Sequence, residues 1–419
     1  MGLAAACEEA AYAYEHIPFF RELFDRSELR PAGPPDERWF RRLPFTVKAD
    51  YRRGFPAQVV NPDESLNPDL VFTSRSSGTT GERLITVVHR DVLAERMLST
   101  VAMNDGIRRN VVGSHNKRVA RLAAPNCSDV ECATPFTTMN DRVLPDGTLV
   151  LPVAHDVLAT PPSMVDQIIE ELEAYQPAWL YMDPTHLAFL CEALAERGIT
   201  HIPGAAVILT YSMCARPAMR AIGSVFGDDV PVAEVLSMSE FGWLGMECGY
   251  GARHLNTECF YFEFLPTADD EIRELVVTSL GDVLSPHIRY RTGDLVEVVA
   301  DACPCGSPGP VVVHHGRTSA CVRDGSARVT ARMVDQAIGE IEEIRFYRVD
   351  QLSEQAVRCR LMLHDCDHAK VTRLVEERLR EVLPTAGEVR ASVVTHIEAE
   401  RSGKFAYCGG PAGKGETRR

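Results

Sequence analysis

The residues Ser76-Ser77-Gly78-Thr79-Thr80-Gly81 follow the apolar run Leu70, Val71, Phe72. Four carry hydroxyls, and two are glycines, which let a backbone reach positive φ and approach a ligand closely. Hydroxyls and backbone N–H groups together can wrap an anion, so the stretch has the chemistry of a triphosphate loop. The same composition also serves ordinary loops. Four further segments tip the balance: Ser237-Met238-Ser239-Glu240-Phe241-Gly242 brings a carboxylate after a strand-like run, and Tyr290-Arg291-Thr292-Gly293-Asp294 brings a second. Gly316-Arg317 adds a guanidinium and Ser402-Gly403-Lys404-Phe405 a late lysine. Singly, Glu240 reads as a helix-start acid, Asp294 as a turn residue and Lys404 as a solvated charge. Jointly and in this order they favour a nucleotide site.

Sulfur supplies a second constellation. Cys303-Pro304-Cys305 with Cys248 and His254 makes a Cys₃His donor set suited to tetrahedral structural zinc, although the C-x-C spacing is tighter than that of ordinary zinc fingers. The alternative is plain packing, since free cysteine is common in cores. Cys127 and Cys132 lack a matched His/Asn context for a nucleophile. Gly249-Tyr250-Gly251 lacks the strand, the third glycine and the helix of a dinucleotide fingerprint.

The elements that must position these residues alternate. Apolar runs at 119–124, 148–153, 179–182, 205–210 and 230–236 read as strands, and 163–175 and 186–197 keep helical spacing. That alternation implies α/β layers with parallel pairing. Residues 4–26 read as one amphipathic helix, followed by a Pro-rich connector (Pro31, Pro34, Pro35). Between 259 and 299 the strands crowd together (259–265, 274–278, 287–291, 295–299), as in an antiparallel section. After Arg317 the pattern restarts with strands at 344–350, 357–363 and 389–397 and a helix at 367–382, which reads as a separate small α+β unit.

A chain of 419 residues exceeds what one core usually supports. Its formal net charge of −15 argues against a nucleic-acid partner, because duplex binding needs a basic face. The amino terminus gains two acids before any long apolar run and reads as neither a signal peptide nor a span. Thirteen scattered cysteines without a secretion signal point to reduced thiols and the cytoplasm, with no membrane partner. Oligomeric state stays open, a homodimer included.

The five segments together resemble the adenylate-forming superfamily of acyl-CoA ligases. Ala13-Tyr14-Glu15-His16-Ile17-Pro18-Phe19-Phe20-Arg21-Glu22, Leu43-Pro44-Phe45-Thr46-Val47-Lys48 and Cys303-Pro304-Cys305-Gly306 are similar to its phenylacetate-CoA ligase branch. The resemblance implies a layered α/β amino-terminal domain (1–316) with a distorted β-barrel section, a small mobile α+β domain (317–408) carrying Lys404, and a flexible tail (409–419). It implies activation of a carboxylate by ATP as acyl-AMP, then transfer to a thiol of CoA or of an acyl-carrier protein. Ser76 to Gly81, with Thr79 and Thr80 foremost, would hold phosphates beside Ser237, Met238 and Ser239. Glu240 would bind Mg²⁺, Asp294 would accept from the ribose hydroxyls, and Arg317 would donate near ribose and α-phosphate. Lys404 would bridge the carboxylate and α-phosphate as charge builds. Phe136, Tyr211, Met238 and Phe241 fall in segments that border the acyl pocket in relatives, which suits an aromatic or small planar acid; plain core is the competing reading. Some relatives of the branch carry a metal like the proposed zinc.

Two departures bear on the acceptor. The acidic pair usual after Gly-Arg is Ser319-Ala320 in this chain, in the segment that serves as the domain hinge. The loop continues Gly81-Glu82-Arg83-Leu84 instead of with the usual Pro and Lys or Thr, so Arg75 or Arg83 is the candidate replacement charge. A non-thiol acceptor (an amine, or nitrite activated toward an arylamine) is therefore the competing enzyme reading. A catalytically silent nucleotide-binding descendant is the reading from another class.

Overall fold

The computed structural model describes residues 2–31, 33–76, 83–122 and 137–409. The first helix divides in two, Gly2–His16 and Pro18–Arg26. Ile17 is extended between them and Pro18 opens the second, because a proline ring fits the first helical turn but not a helix interior. Ala6, Ala10, Ala13, Phe20 and Phe24 turn inward and pack with Phe260 and Phe262.

The predicted strand–helix alternation holds between 119 and 238. Thr148–Val150, Val119–Leu122, Trp179–Met182, Val207–Leu209 and Val232–Met238 lie side by side, all parallel. Helices Pro162–Tyr175, Pro184–Glu196 and Arg216–Phe226 connect them, and each has a proline in its first turn. Asp183 caps the second through its side chain, which accepts from Thr185 N and His186 N. Such strands are covered on both faces and so are apolar throughout. Leu122, Leu180, Met182, Val207 and Leu209 face Leu172, Leu187, Leu190 and Ile222, while Ile208, Ala233 and Val235 face Val101, Ile107 and Trp243.

Beyond Val232–Met238 the direction changes. That strand bonds Val207–Leu209 in parallel on one edge and Gly242–Glu247 antiparallel on the other. From there the order runs through Arg253–Leu255, Val311–Arg317, Tyr290–Val299 and Ile272–Ser279 to Phe260–Pro266, giving one open order of eleven strands. Among the described residues these strands continue the sheet edge to edge, and no closed barrel is seen where a distorted barrel section was expected. The two strands expected at 287–291 and 295–299 are also one, Tyr290–Val299, whose pairing shifts register along its length. Gly293, at φ +75°, supplies the left-handed residue that a bulge of this kind uses. Gly245 meets a different demand, since a Cβ there would collide with the His254 carbonyl across the strand pair.

After Arg317 a four-stranded sheet has the order Glu388–Val393, Ala356–Leu363, Ile344–Ser353, Cys408–Gly409. Helix His368–Val382 covers it through Val371, Val375 and Leu379, the i, i+4, i+8 positions of one face. The last short strand pairs with Val349–Asp350 of this four-stranded sheet, with Lys404 just before it. Apolar packing is continuous from Leu187 and Ile222 to Val334, Ile338 and Phe346. Polar contacts bind the same seam: Arg216 N and Tyr347 OH both donate to Asp335 (3.0 Å each), and Thr185 and Tyr407 share a buried hydroxyl contact at 3.1 Å. Among the described residues no helix is long and apolar enough to cross a membrane.

Candidate active site

Crevices at the carboxyl ends of parallel strands, where strand order reverses, are where open α/β sheets bind ligands. Glu240 and Asp294 are brought to that end by different routes. Glu240 follows Val232–Met238 and is buried; its Oε1 accepts from Tyr290 OH at 2.9 Å and lies 3.9 Å from Lys48 Nζ. Tyr290 opens the strand that carries Asp294, so one phenol links the two acids. Asp294 N donates to Thr292 Oγ1 at 3.0 Å, and Thr292 Oγ1 donates to Leu275 O at 2.8 Å, which fixes the kink at Gly293.

Asp294 is buried, and burial alone pushes its carboxyl up. The Arg317 guanidinium and then the His314 hydrogen bond outweigh that and hold it below the usual carboxylate range. His314 Nε2 lies 3.0 Å and Arg317 Nε 3.5 Å from Asp294 Oδ1. Asp294 Oδ2 has no hydrogen-bond partner among the described residues. A buried, ionised carboxylate with one oxygen anchored and the other unsatisfied is an acceptor waiting for donors.

Lys48 ends the segment Leu43–Lys48, which carries part of the resemblance but gave the lysine no role. Thr46 N donates to Arg289 O (3.1 Å) and Arg291 N to Thr46 O (2.9 Å), so residues 46–48 run alongside the start of strand Tyr290–Val299 and deliver Lys48 to Glu240. Burial pushes the Lys48 ammonium down, Glu240 opposes this, and the charges of Arg317, Arg52 and Lys404 lower it further. Lys48 therefore completes a group of cations around one acid. Its signal in the sequence is local: it opens the helix Lys48–Gly54, where a cation opposes the macrodipole and gains nothing from the helix.

Lys404 lies across the crevice, with Nζ donating to Tyr211 O at 3.1 Å and sitting 5.8 Å from the Tyr211 ring centroid. Tyr211 holds φ +75°, an uncommon conformation for a bulky residue and one that collects at functional sites. The loop after it is fastened by Ser212 Oγ to Asp183 (3.0 Å) and Cys214 N to Glu234 (2.5 Å). Ser237 Oγ meets Thr210 Oγ1 at 2.8 Å beside it.

The hydroxyl-rich loop is tied to the same place at its base. Ser74 Oγ and Thr86 Oγ1, on paired strands Val71–Arg75 and Ile85–His89, both donate to Ser239 O, at 3.1 and 2.8 Å. Ser76 is buried, and its Oγ accepts from Leu84 N at 2.8 Å, closing the neck of the loop. Arg75 and Arg83 flank that neck and are exposed. Ser77, Gly78, Thr79, Thr80, Gly81 and Phe136 lie outside the described residues. Of the remaining pocket candidates, Phe241 packs its ring against Phe260, His287 and Tyr290, and Met238 is buried in the same cluster; Tyr211 alone stands beside Lys404.

The sulfur constellation is compact. Donor atoms of Cys248, His254, Cys303 and Cys305 all lie within 4.8 Å of one another, with Cys248 and Cys303 sulfurs 3.6 Å apart and Cys305 Sγ 3.2 Å from His254 Nε2. Four ligands about 2.3 Å from a tetrahedral zinc would sit about 3.8 Å apart, so the residues fit the metal. Tyr250 N and Ser307 N donate to Cys248 Sγ and Cys305 Sγ at 3.4 and 3.3 Å, which suits thiolates.

Comparison with known proteins agrees with this geometry. No family model matches the chain. Phenylacetate-coenzyme A ligase from Thermus thermophilus is 23% identical over 357 residues, covering 80% of this chain and 73% of the relative. The Pseudomonas putida phenylacetate-coenzyme A ligase is 21% identical over 426 residues, 95% of this chain and 88% of its own. Among solved structures, 2-hydroxyisobutyryl-CoA ligase in the postadenylation state with R3-HIB-AMP superposes with TM-score 0.72 at 17% identity, covering 98% of this chain and 89% of that one. The same ligase in its thioesterification state, with 2-HIB-AMP and CoA, gives 0.56 over 95% and 87% at 17% identity. The chain has the fold of the adenylate-forming ligases and, by sequence, is similar to phenylacetate-coenzyme A ligases.

Proposed function

We propose that the protein is an ATP-dependent, AMP-forming ligase that activates a carboxylate as acyl-AMP, releases pyrophosphate, and passes the acyl group to a thiol, with CoA as the first candidate. One observation carries the reading: Asp294, ionised, buried and unsatisfied at Oδ2, belongs to one group of interacting charges with Arg317, Glu240, Lys48 and Lys404. Asp294 would take the ribose hydroxyls, and the base of the hydroxyl-rich loop beside Ser239 would place the phosphates next to Glu240. Mg²⁺ bound by Glu240 and phosphate oxygens would offset charge on the departing pyrophosphate; a single carboxylate with phosphate oxygens suits that cation.

In the first step the substrate carboxylate oxygen bonds to α-phosphorus as the bond to the pyrophosphate oxygen breaks. Lys404, docked on Tyr211 O, and Lys48, beside Glu240, stand on two sides of the crevice and would offset the negative charge as it spreads. Preorganised cations of this kind need no reorganisation during the step. In the second step the thiol sulfur bonds to the acyl carbon, AMP leaves, and the thiol proton goes to solvent. The acid fits the aromatic or small planar class, given Tyr211 and Tyr181 at the pocket. An acyl-carrier protein is the other thiol donor.

The proposed division places 1–316 in the adenylating domain and 317–408 in a lid that turns about Arg317–Ala320. Ser319-Ala320 supports a second reading, a non-thiol acceptor, because the hinge lacks its acids and the two units share a continuous core in this pose. Acid-dependent exchange of labelled pyrophosphate into ATP tests the first step, and mass spectrometry for a CoA thioester tests the second. Exchange without thioester would transfer the proposal to the amine or oxyanion acceptor. No exchange with any acid, alongside tight ATP binding, would leave the silent relative. We further propose one structural Zn²⁺ on Cys248, His254, Cys303 and Cys305, to be counted by metal analysis.

A further inference from the structure

His314 and His315 are neighbours on strand Val311–Arg317 and meet different partners. In an unbroken strand, residues three apart point to opposite faces, so positions 314 and 317 would not serve one carboxylate. A register shift changes that. Asp294 pairs with Arg317 and Leu295 with Gly316, but Val296 pairs with His314, which leaves His315 as the extra residue of a bulge. Asp294 and Val296 share a face of their strand, so the bulge turns His314 onto the face that Arg317 already occupies. His314 Nε2 lies 3.0 Å from Asp294 Oδ1, and the imidazole is only 13% exposed. His315, displaced by the bulge, is held by Thr330 Oγ1 at 3.0 Å and Glu297 Oε2 at 3.4 Å.

We propose that His314 is a positioning residue of the nucleotide site: it holds Asp294 by Oδ1 and so keeps Oδ2 for the ribose hydroxyls. The inference rests on the ribose role proposed for Asp294 above. An ionised carboxylate has no proton to give, so His314 donates from Nε2–H and its tautomer is set. Arg317 Nε, 3.5 Å from the same oxygen, belongs to a side chain that is 47% exposed. A long, half-exposed arginine keeps more rotamer freedom than a buried imidazole and fixes the carboxylate plane less firmly. With Oδ1 taken by these two groups, Oδ2, buried and without a partner, is the oxygen left for donors. Without His314 the carboxylate is free to turn toward Arg317, and the cost of ordering it falls on nucleotide binding. His314 acts through Asp294 and not on the reacting atoms, so its loss weakens the hold on the sugar.

The test is the dissociation constant of ATP and of 2′,3′-dideoxyATP, each with Mg²⁺, measured by calorimetry on the full chain. The wild type is expected to bind ATP about 10–100-fold more tightly than the dideoxy nucleotide, the worth of hydrogen bonds to an ionised group. His314→Leu should weaken ATP about 10-fold, the cost of ordering one freed side chain on binding, and leave the dideoxy nucleotide unchanged. His314→Gln, whose amide nitrogen has the reach of imidazole Nε2, should bind ATP as the wild type does. His314→Asn, whose amide falls short, should match His314→Leu and serves in its place if the leucine variant does not fold. Added to Asp294→Asn, the change His314→Leu should weaken ATP no further, because the two residues act as one unit. An equal change for both nucleotides, or no change for either, overturns the positioning role and leaves the ribose contact standing. Equal binding of the two nucleotides by the wild type, or no binding of ATP, overturns the ribose contact and the positioning role together.

Discussion

The proposed nucleotide site and the sulfur cluster are both built from residues far apart in sequence, yet they stand in opposite states. The cluster is closed on itself, with four donors within 4.8 Å of one another, His254 on strand Arg253–Leu255 and the cysteines in the connections beside it, and N–H groups already aimed at two of the sulfurs. The crevice is open: Asp294 keeps an oxygen unsatisfied, Lys404 rests on a backbone carbonyl, and several cations crowd Lys48. A site that holds the architecture together satisfies its own groups, whereas one that binds substrate leaves polar groups for the substrate to satisfy.

Perturbing the two regions should therefore give different readouts. The largest effect is expected from Lys404→Ala, which should lower acyl-AMP formation about 10²–10³-fold while sparing thioester formation from preformed acyl-AMP; equal loss of both steps contradicts its assignment to the first. Acid should act on the packing beneath the crevice. His287 lies buried against Tyr51, Phe241 and Tyr290, and burial pushes its pKa down to about 4. The unfolded chain binds that proton below about 6.5 and the folded chain only below about 4, so stability is whole above pH 6.5 and falls as pH drops through this window, by about 3 kcal/mol at most. Denaturant midpoints at pH 7 and pH 4.5 for the wild type and His287→Phe measure it, and an unchanged acid sensitivity in the variant refutes the cause. Asp294→Asn keeps the shape but loses the charge, and the KM for ATP should rise about 10–100-fold, the worth of hydrogen bonds to an ionised group. The smallest effect on turnover belongs to the cluster: Cys303→Ser with Cys305→Ser should remove one zinc per chain and lower Tm by about 2–6 °C, with far less change in exchange rate. A fully stable, metal-free wild type would end the zinc assignment.

Much of the fold was legible because apolar periodicity is local. The strand expected at 179–182 is observed with those limits, and helices expected at 163–175 and 186–197 begin one or two residues earlier, at prolines that suit a first turn. The long helix expected over 4–26 failed at one of those signals, Pro18. The barrel section is a different case, since no closed barrel is seen among the described residues. Whether strands close or continue depends on which edges meet, and the double pairing of Val232–Met238 decides that across the sheet. In the site, Glu240, Asp294, Arg317 and Lys404 were readable because each stands in a distinctive segment. The role of Lys48 was not: it ends a segment that resembles the branch, but a lysine opening a helix does not show which acid it will face.

Order and kind of the chemical groups were set by the sequence alone: a hydroxyl-rich loop, two acids, an arginine, a late lysine and a Cys₃His donor set. Residue type fixes what a group can donate, accept or ligate, wherever it is placed. Only the tertiary structure decided that Lys48 faces Glu240, that Lys404 docks on Tyr211, and that Phe241 belongs to the core. Those are relations between side chains brought together by strand pairing across hundreds of residues, and no local pattern records the distance between them.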